Sequence, residues 1–102
     1  MTDVAKRYRA AAVANVLEGA GRASREERRA AFDNRGVSPA AQALIEKVAR
    51  HAYKVTDEDI AAAKAGGLSE DQIFELCVCA AMGQASRQYE AALAALDAEE
   101  KR

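Results

Sequence analysis

Apolar residues recur along this chain at intervals of three and four, and no stretch alternates apolar with polar positions as a strand would. The pattern predicts helices throughout. The first covers about Asp3 to Glu18, with Ala10, Val13, Leu17 and Ala20 at helical spacing, and ends at Gly19 and Gly21. The second opens at "SREE", where Ser24 and Glu27 have the spacing of a capping box, and stops near Gly36. A third begins at "SPAA", with Ser38 as cap and Pro39 at the first helical position, where a missing N–H costs nothing. Its apolar stripe is Ala41, Leu44, Ile45, Val48, Ala49 and Ala52.

"VTDEDI" opens the fourth helix, with Thr56 as cap, acids in the first turn favoured by the helix dipole, and Val55 placed to pack on Ile60. It closes at Gly66 and Gly67. "LSEDQI" opens the fifth in the same manner, with Ser69 and Gln72 as the capping pair and Leu68 placed against Ile73. From there to about Asp97 only Gly83 interrupts the pattern, so this helix is predicted to run roughly 40 Å at 1.5 Å per residue. The fold class expected is all-α: one domain over residues 1–102, with a long C-terminal helix.

Composition changes this picture in one respect. Of the 102 residues 26 are Ala, whereas Val, Leu, Ile and Phe together supply few large core side chains, and Trp is absent. A short alanine-rich chain buries little apolar area per residue, and a second copy can cover faces that one copy leaves bare, so a homo-oligomer is expected. Charge is segregated: residues 1–54 carry eleven Lys/Arg against six Asp/Glu, and residues 55–102 carry four against ten, for an overall net of −1. The basic residues are interspersed with acids and carry no sustained aromatic interleaving, which argues for complementary halves meeting within or between subunits and against nucleic-acid binding. The start "MTDVAKRYRAAAVANVLEGAG" has no continuous apolar stretch, and no run approaches a membrane span, so a cytoplasmic protein with reduced thiols is expected.

Candidate chemistry concentrates in "FELCVCAAMGQ", which holds both cysteines. On a helix Cys77 and Cys79 are separated by roughly 200°, so they neither bond to each other nor share a metal. Cys77 is expected on the core face with Ile73, Leu76 and Ala80, and Cys79 on the side of Glu75, Met82 and Ser86. Packing cysteines account for this pattern, since free cysteine behaves as a small apolar residue; the functional alternative makes Cys79 a nucleophile with Glu75 as its base. Glu75 stands in an otherwise apolar stretch and needs either a partner, such as an arginine from the second or third helix, or a role in acid–base chemistry. His51, the only histidine, lies near a helix C-terminus as a capping or packing residue. No His/Cys/Asp/Glu cluster has metal spacing and no glycine-rich phosphate loop follows a strand, so no metal or cofactor is expected.

The run "AAAKAGGLSEDQIFELCVCAAMGQASRQYEAALAAL" resembles the alkylhydroperoxidase (AhpD-like)/carboxymuconolactone decarboxylase family. The pieces that match are Ala63, Gly67–Leu68–Ser69, Gln72–Ile73, Glu75–Leu76, Ala80–Ala81 and Gly83. The likeness makes residues 38–97 a family-like core, with residues 1–37 as N-terminal helices. It implies a five-helix domain assembling as a trimer or hexamer. In peroxidase members a C-x-x-C-x-x-H motif precedes the glycine, and counting back from Gly67 places its positions at Tyr53, Thr56 and Asp59. All three catalytic identities are replaced, and Tyr, Thr and Asp make neither a disulfide nor a low-pKa thiolate. The function expected is therefore a non-redox helical oligomer that binds, scaffolds or assists a protein partner or a small organic ligand. One alternative is a decarboxylase-like enzyme using Asp59 or Glu75 as a general base in an intersubunit pocket beside Tyr53 and Thr56. A weaker one is a thiol peroxidase using Cys79.

Overall fold

The computed structural model describes residues 3–101, and among them every regular element is helical. Helix α1 spans Asp3–Glu18, α2 Arg25–Asp33, α3 Pro39–His51, α4 Asp57–Ala65 and α5 Glu70–Glu100, with a single 3₁₀ turn at Ala52–Lys54. The 31 residues of α5 make it about 46 Å long, and the molecule measures 52 × 28 × 20 Å. The other four helices all pack along this one rod.

The punctuation read from the sequence sets these boundaries. Ser24–Glu27 and Ser69–Gln72 form reciprocal capping boxes, each hydroxyl accepting from the third helical N–H and each longer side chain accepting from the cap N–H. Two details differ. Helix α2 stops at Asn34, which takes the left-handed conformation at φ 51° before Gly36 is reached. Ser38 stands before Pro39 as expected, but its hydroxyl makes no capping bond, and the Ala41 N–H is donated to the Ser38 carbonyl.

Two apolar clusters fill the interior. Leu17, Ala31, Ala41, Ile45, Leu76, Cys79 and Ala80 join α1, α2, α3 and α5. Leu44, Ala63 and Ile73 join α3, α4 and α5, with Val55, Ile60 and Leu68 packed around them. The face assignment of the cysteines is corrected here. Cys79 is the buried thiol, 1% exposed, because α1 lies across the side of α5 that carries Glu75 and Met82; Cys77 is half-buried and touches both clusters. Of the charge-complementary contacts expected, Lys47–Asp59 at 2.8 Å and Arg9–Glu90 at 3.9 Å join the basic half of the chain to the acidic half.

Helices α2 and α5 cross at Gly83. A Cβ there would lie 1.9 Å from the Phe32 carbonyl oxygen, so only glycine permits the approach. Arg87, one turn on, donates to the same oxygen at 2.6 Å and satisfies a carbonyl at the end of α2, where a cation also suits the helix dipole. Gly83→Ala must push two backbones apart and is expected to destabilise the fold by about 3 kcal/mol or more, whereas Ala81→Gly, on the exposed side of the same helix, should cost about 1 kcal/mol. Urea unfolding midpoints of the two variants compared with the parent check the ranking.

Candidate functional site

The corner between α1 and α2 is where the unexplained polar residues converge. Six residues, 19–24, link the two helices, and their backbone groups need partners that the helices do not supply. Glu75 reaches over from α5 and supplies them. Its Oε1 accepts the Arg22 N–H at 2.8 Å, while Oε2 accepts the N–H of Ala23 at 2.7 Å and that of Arg22 at 3.0 Å. Gly21 makes room, since a Cβ there would stand 2.8 Å from Oε1. On the other side of the corner Arg28, only 6% exposed, donates to the carbonyls of Gly19 at 2.6 Å and Val16 at 3.2 Å, capping the end of α1. Anion and cation thus serve opposite ends of one loop.

These bonds fix the electrostatics. The Ala23 N–H, then the Arg22 N–H, hold the Glu75 carboxyl below its ordinary value, and the positive charges of Arg28 and Arg22 add to the effect. For Cys79, burial pushes the thiol up and the Glu75 charge pushes the same way, against a partial offset from Arg28. Its Sγ donates weakly to the Val16 carbonyl at 3.9 Å. Burial also raises the Cys77 thiol. Neither cysteine has the electropositive setting of a reactive thiolate.

The positions expected beside Glu75 lie elsewhere in the fold. Asp59 completes a capping box with Thr56, accepting its N–H at 2.9 Å, and receives the Lys47 ammonium at 2.8 and 3.0 Å. The Lys47 bond is the main reason its carboxyl also stays below the ordinary range, with the Thr56 N–H second. Tyr53 is 82% exposed on the 3₁₀ turn, its ring meeting that of His51 edge-on at 5.9 Å. Within the chain, then, Asp59 ties α4 to α3 while Glu75 ties α5 to the α1–α2 corner, and no shared cleft is formed from Tyr53, Thr56, Asp59 and Glu75 by these bonds. Among the described residues no group of three or more His, Cys, Asp or Glu is arranged to hold a metal ion.

Two concave features were not foreseen. A hollow of about 170 Å³ borders Glu75, between Asn15, Val16 and Ala20 of the first segment and Phe74 and Val78 of α5. An open groove of about 700 Å³ runs between α1, the end of α2 and α5, with Val13, Leu17 and Phe32 on its floor and Arg9, Arg35 and Arg87 on its rim. Arg9 stacks over Tyr89 at 4.6 Å there. Arginines spread over α1, α5 and the loop after α2 give no local sequence signal, so only their assembly reveals the groove.

Comparison with family models, with curated proteins and with solved structures found no match to this chain. Among the described residues no helix is long and apolar enough to cross a membrane.

Because the folded state holds Glu75 ionised more tightly than the unfolded chain, its contribution to stability is present above the ordinary glutamate value of 4.5 and is lost as pH falls through the lower folded value. Glu75→Gln should therefore be less stable than the parent by about 2 kcal/mol near neutrality. That gap should close on acidification below the ordinary value. Thermal melts of both proteins over an acid-to-neutral pH series test this, and a gap that stays constant with pH would remove the carboxylate from the account.

Proposed function

We propose that this protein is a non-redox helical homo-oligomer that acts as a binding, scaffolding or accessory protein, and that it descends from the alkylhydroperoxidase-like fold. One observation carries the first part: the side chain best placed for chemistry, Glu75, spends its carboxylate oxygens on three N–H bonds to the α1–α2 corner. A carboxylate stabilised in this way is a weak base, and a thiolate next to it is disfavoured. Asp59 is likewise engaged by Thr56 and Lys47. In the ancestral reading Tyr53, Thr56 and Asp59 occupy the positions of the lost motif, where Thr56 and Asp59 now serve as a helix cap.

The hollow beside Glu75 favours one second reading, a carboxylate enzyme acting on a small organic molecule held against Phe74 and Val78. It ranks lower because the lowered carboxyl pKa works against proton abstraction at neutral pH.

In the non-redox reading the protein consumes no hydroperoxide with any dithiol donor, and Cys79→Ser changes nothing in that assay. Both thiols should react slowly with a chromogenic disulfide reagent in the native protein and rapidly after denaturation. Fast native labelling of one thiol, with peroxide turnover lost in Cys79→Ser, would establish the peroxidase alternative instead.

A further inference from the structure

Helix α1 is held to the rest of the fold mainly at one end. Between Val4 and Glu18 only Leu17 is buried, Arg9, Val13 and Val16 are half-buried, and every other residue is exposed. Its charges oppose the helix dipole: Lys6, Arg7 and Arg9 crowd the N-terminal half and Glu18 sits in the last turn, with Asp3 alone suited to its place. A helix of this kind depends on docking to stay helical. The strongest docking contacts lie at its C-terminal end. There Glu75 accepts the N–H groups of Arg22 and Ala23, Arg28 donates to the carbonyls of Val16 and Gly19, and the Val16 carbonyl also takes the Cys79 thiol. Toward the other end Arg9 pairs with Glu90 at 3.9 Å on an exposed surface, an arrangement worth little in water. Its Nε is buried and finds no acceptor among the described residues, a cost that undocking relieves.

We infer that α1 is a strap, latched by Glu75 and Arg28, which opens as a unit while α2 to α5 stay folded, and that its opening controls access to the Cys79 thiol. Helices α2 to α5 keep contacts of their own without it. The cluster of Leu44, Ala63 and Ile73 contains no α1 residue, and in the other cluster Leu17 is the one buried member that α1 contributes. Arg87 and the Phe32 carbonyl join α5 to α2, Lys47 and Asp59 join α3 to α4, and the Ser24–Glu27 box closes the start of α2 within one turn. Release of α1 withdraws Val16 and Leu17 from the side of α5 that carries Cys79, so a residue 1% exposed in the closed form comes within reach of solvent. Cys77 responds less, because it also packs against the Leu44, Ala63 and Ile73 cluster, which the strap does not enter. Local openings of this sort cost less than global unfolding when few apolar groups are buried by the segment that leaves.

Thiol labelling of the full chain carrying Cys77→Ser, so that Cys79 alone reports, tests the strap when its slow rate is followed against urea. Releasing one helix of 16 residues exposes little surface, so the rate should rise with a urea slope below about half that of global unfolding. Glu75→Gln should speed labelling roughly thirtyfold. Gly21→Ala, whose Cβ would crowd Oε1 of Glu75 at 2.8 Å without altering any charge, should speed it as well. Ala61→Gly, on the exposed side of α4, lowers global stability and should leave labelling in the absence of urea unchanged. Hydrogen exchange of the parent needs no variant: amides from Ala11 to Glu18 should exchange through a cheaper opening than those from Leu76 to Gly83 in α5. Labelling that follows the full urea slope of global unfolding, or α1 amides that open at the same free energy as the centre of α5, would overturn the strap. Labelling indifferent to both Glu75→Gln and Gly21→Ala would overturn the latch.

Discussion

The carboxylate of Glu75 holding the N–H groups of Arg22 and Ala23 is the contact on which the rest of the fold depends. It is a long-range bond, from the second turn of α5 to a loop more than fifty residues earlier. With it in place the α1–α2 corner is fixed, Arg28 is turned onto the last carbonyls of α1, and Ser24 is set to start α2. Helix α1 then lies across α5 and buries Cys79, and the side of α5 facing away from the core is left bare. A single ionised group so determines what is buried and what is left exposed.

The same device recurs on a smaller scale. Arg87 satisfies the end of α2 through the Phe32 carbonyl, and Asp59 satisfies the start of α4 while holding α3 through Lys47. A core with Ala at half of its buried apolar positions gains little from burial alone, because each alanine removes a small area from water. Charged side chains that cap helix ends supply orientation that such a core does not.

Much of this was legible because helix ends are local events. Ser24–Glu27, Thr56 and Ser69–Gln72 carry their own partners within one turn, so the sequence alone places the starts of α2, α4 and α5. What was not legible is what joins distant elements. Glu75 was recognised as a residue in need of a partner, but its partners are backbone N–H groups of a loop, which no side-chain pattern announces. Cys77 and Cys79 were rightly set on opposite sides of α5, yet the more buried side was misassigned because the position of α1 follows from Glu75 and not from periodicity. In the sequence Gly83 is only an interruption of the helical pattern; the approach of the Phe32 carbonyl makes it a required glycine.

The functional reading and the fold share one premise, that Glu75 is an anchor and not a base. Carbon-detected NMR titration of the glutamate side chains, followed with the Arg22 and Ala23 amide protons, tests it most directly. An anchor predicts that the Glu75 carboxyl titrates below the ordinary value of 4.5 and that both amide signals shift with it as their bonds are lost. A Glu75 carboxyl titrating well above that value, with the two amides indifferent to it, would contradict the account.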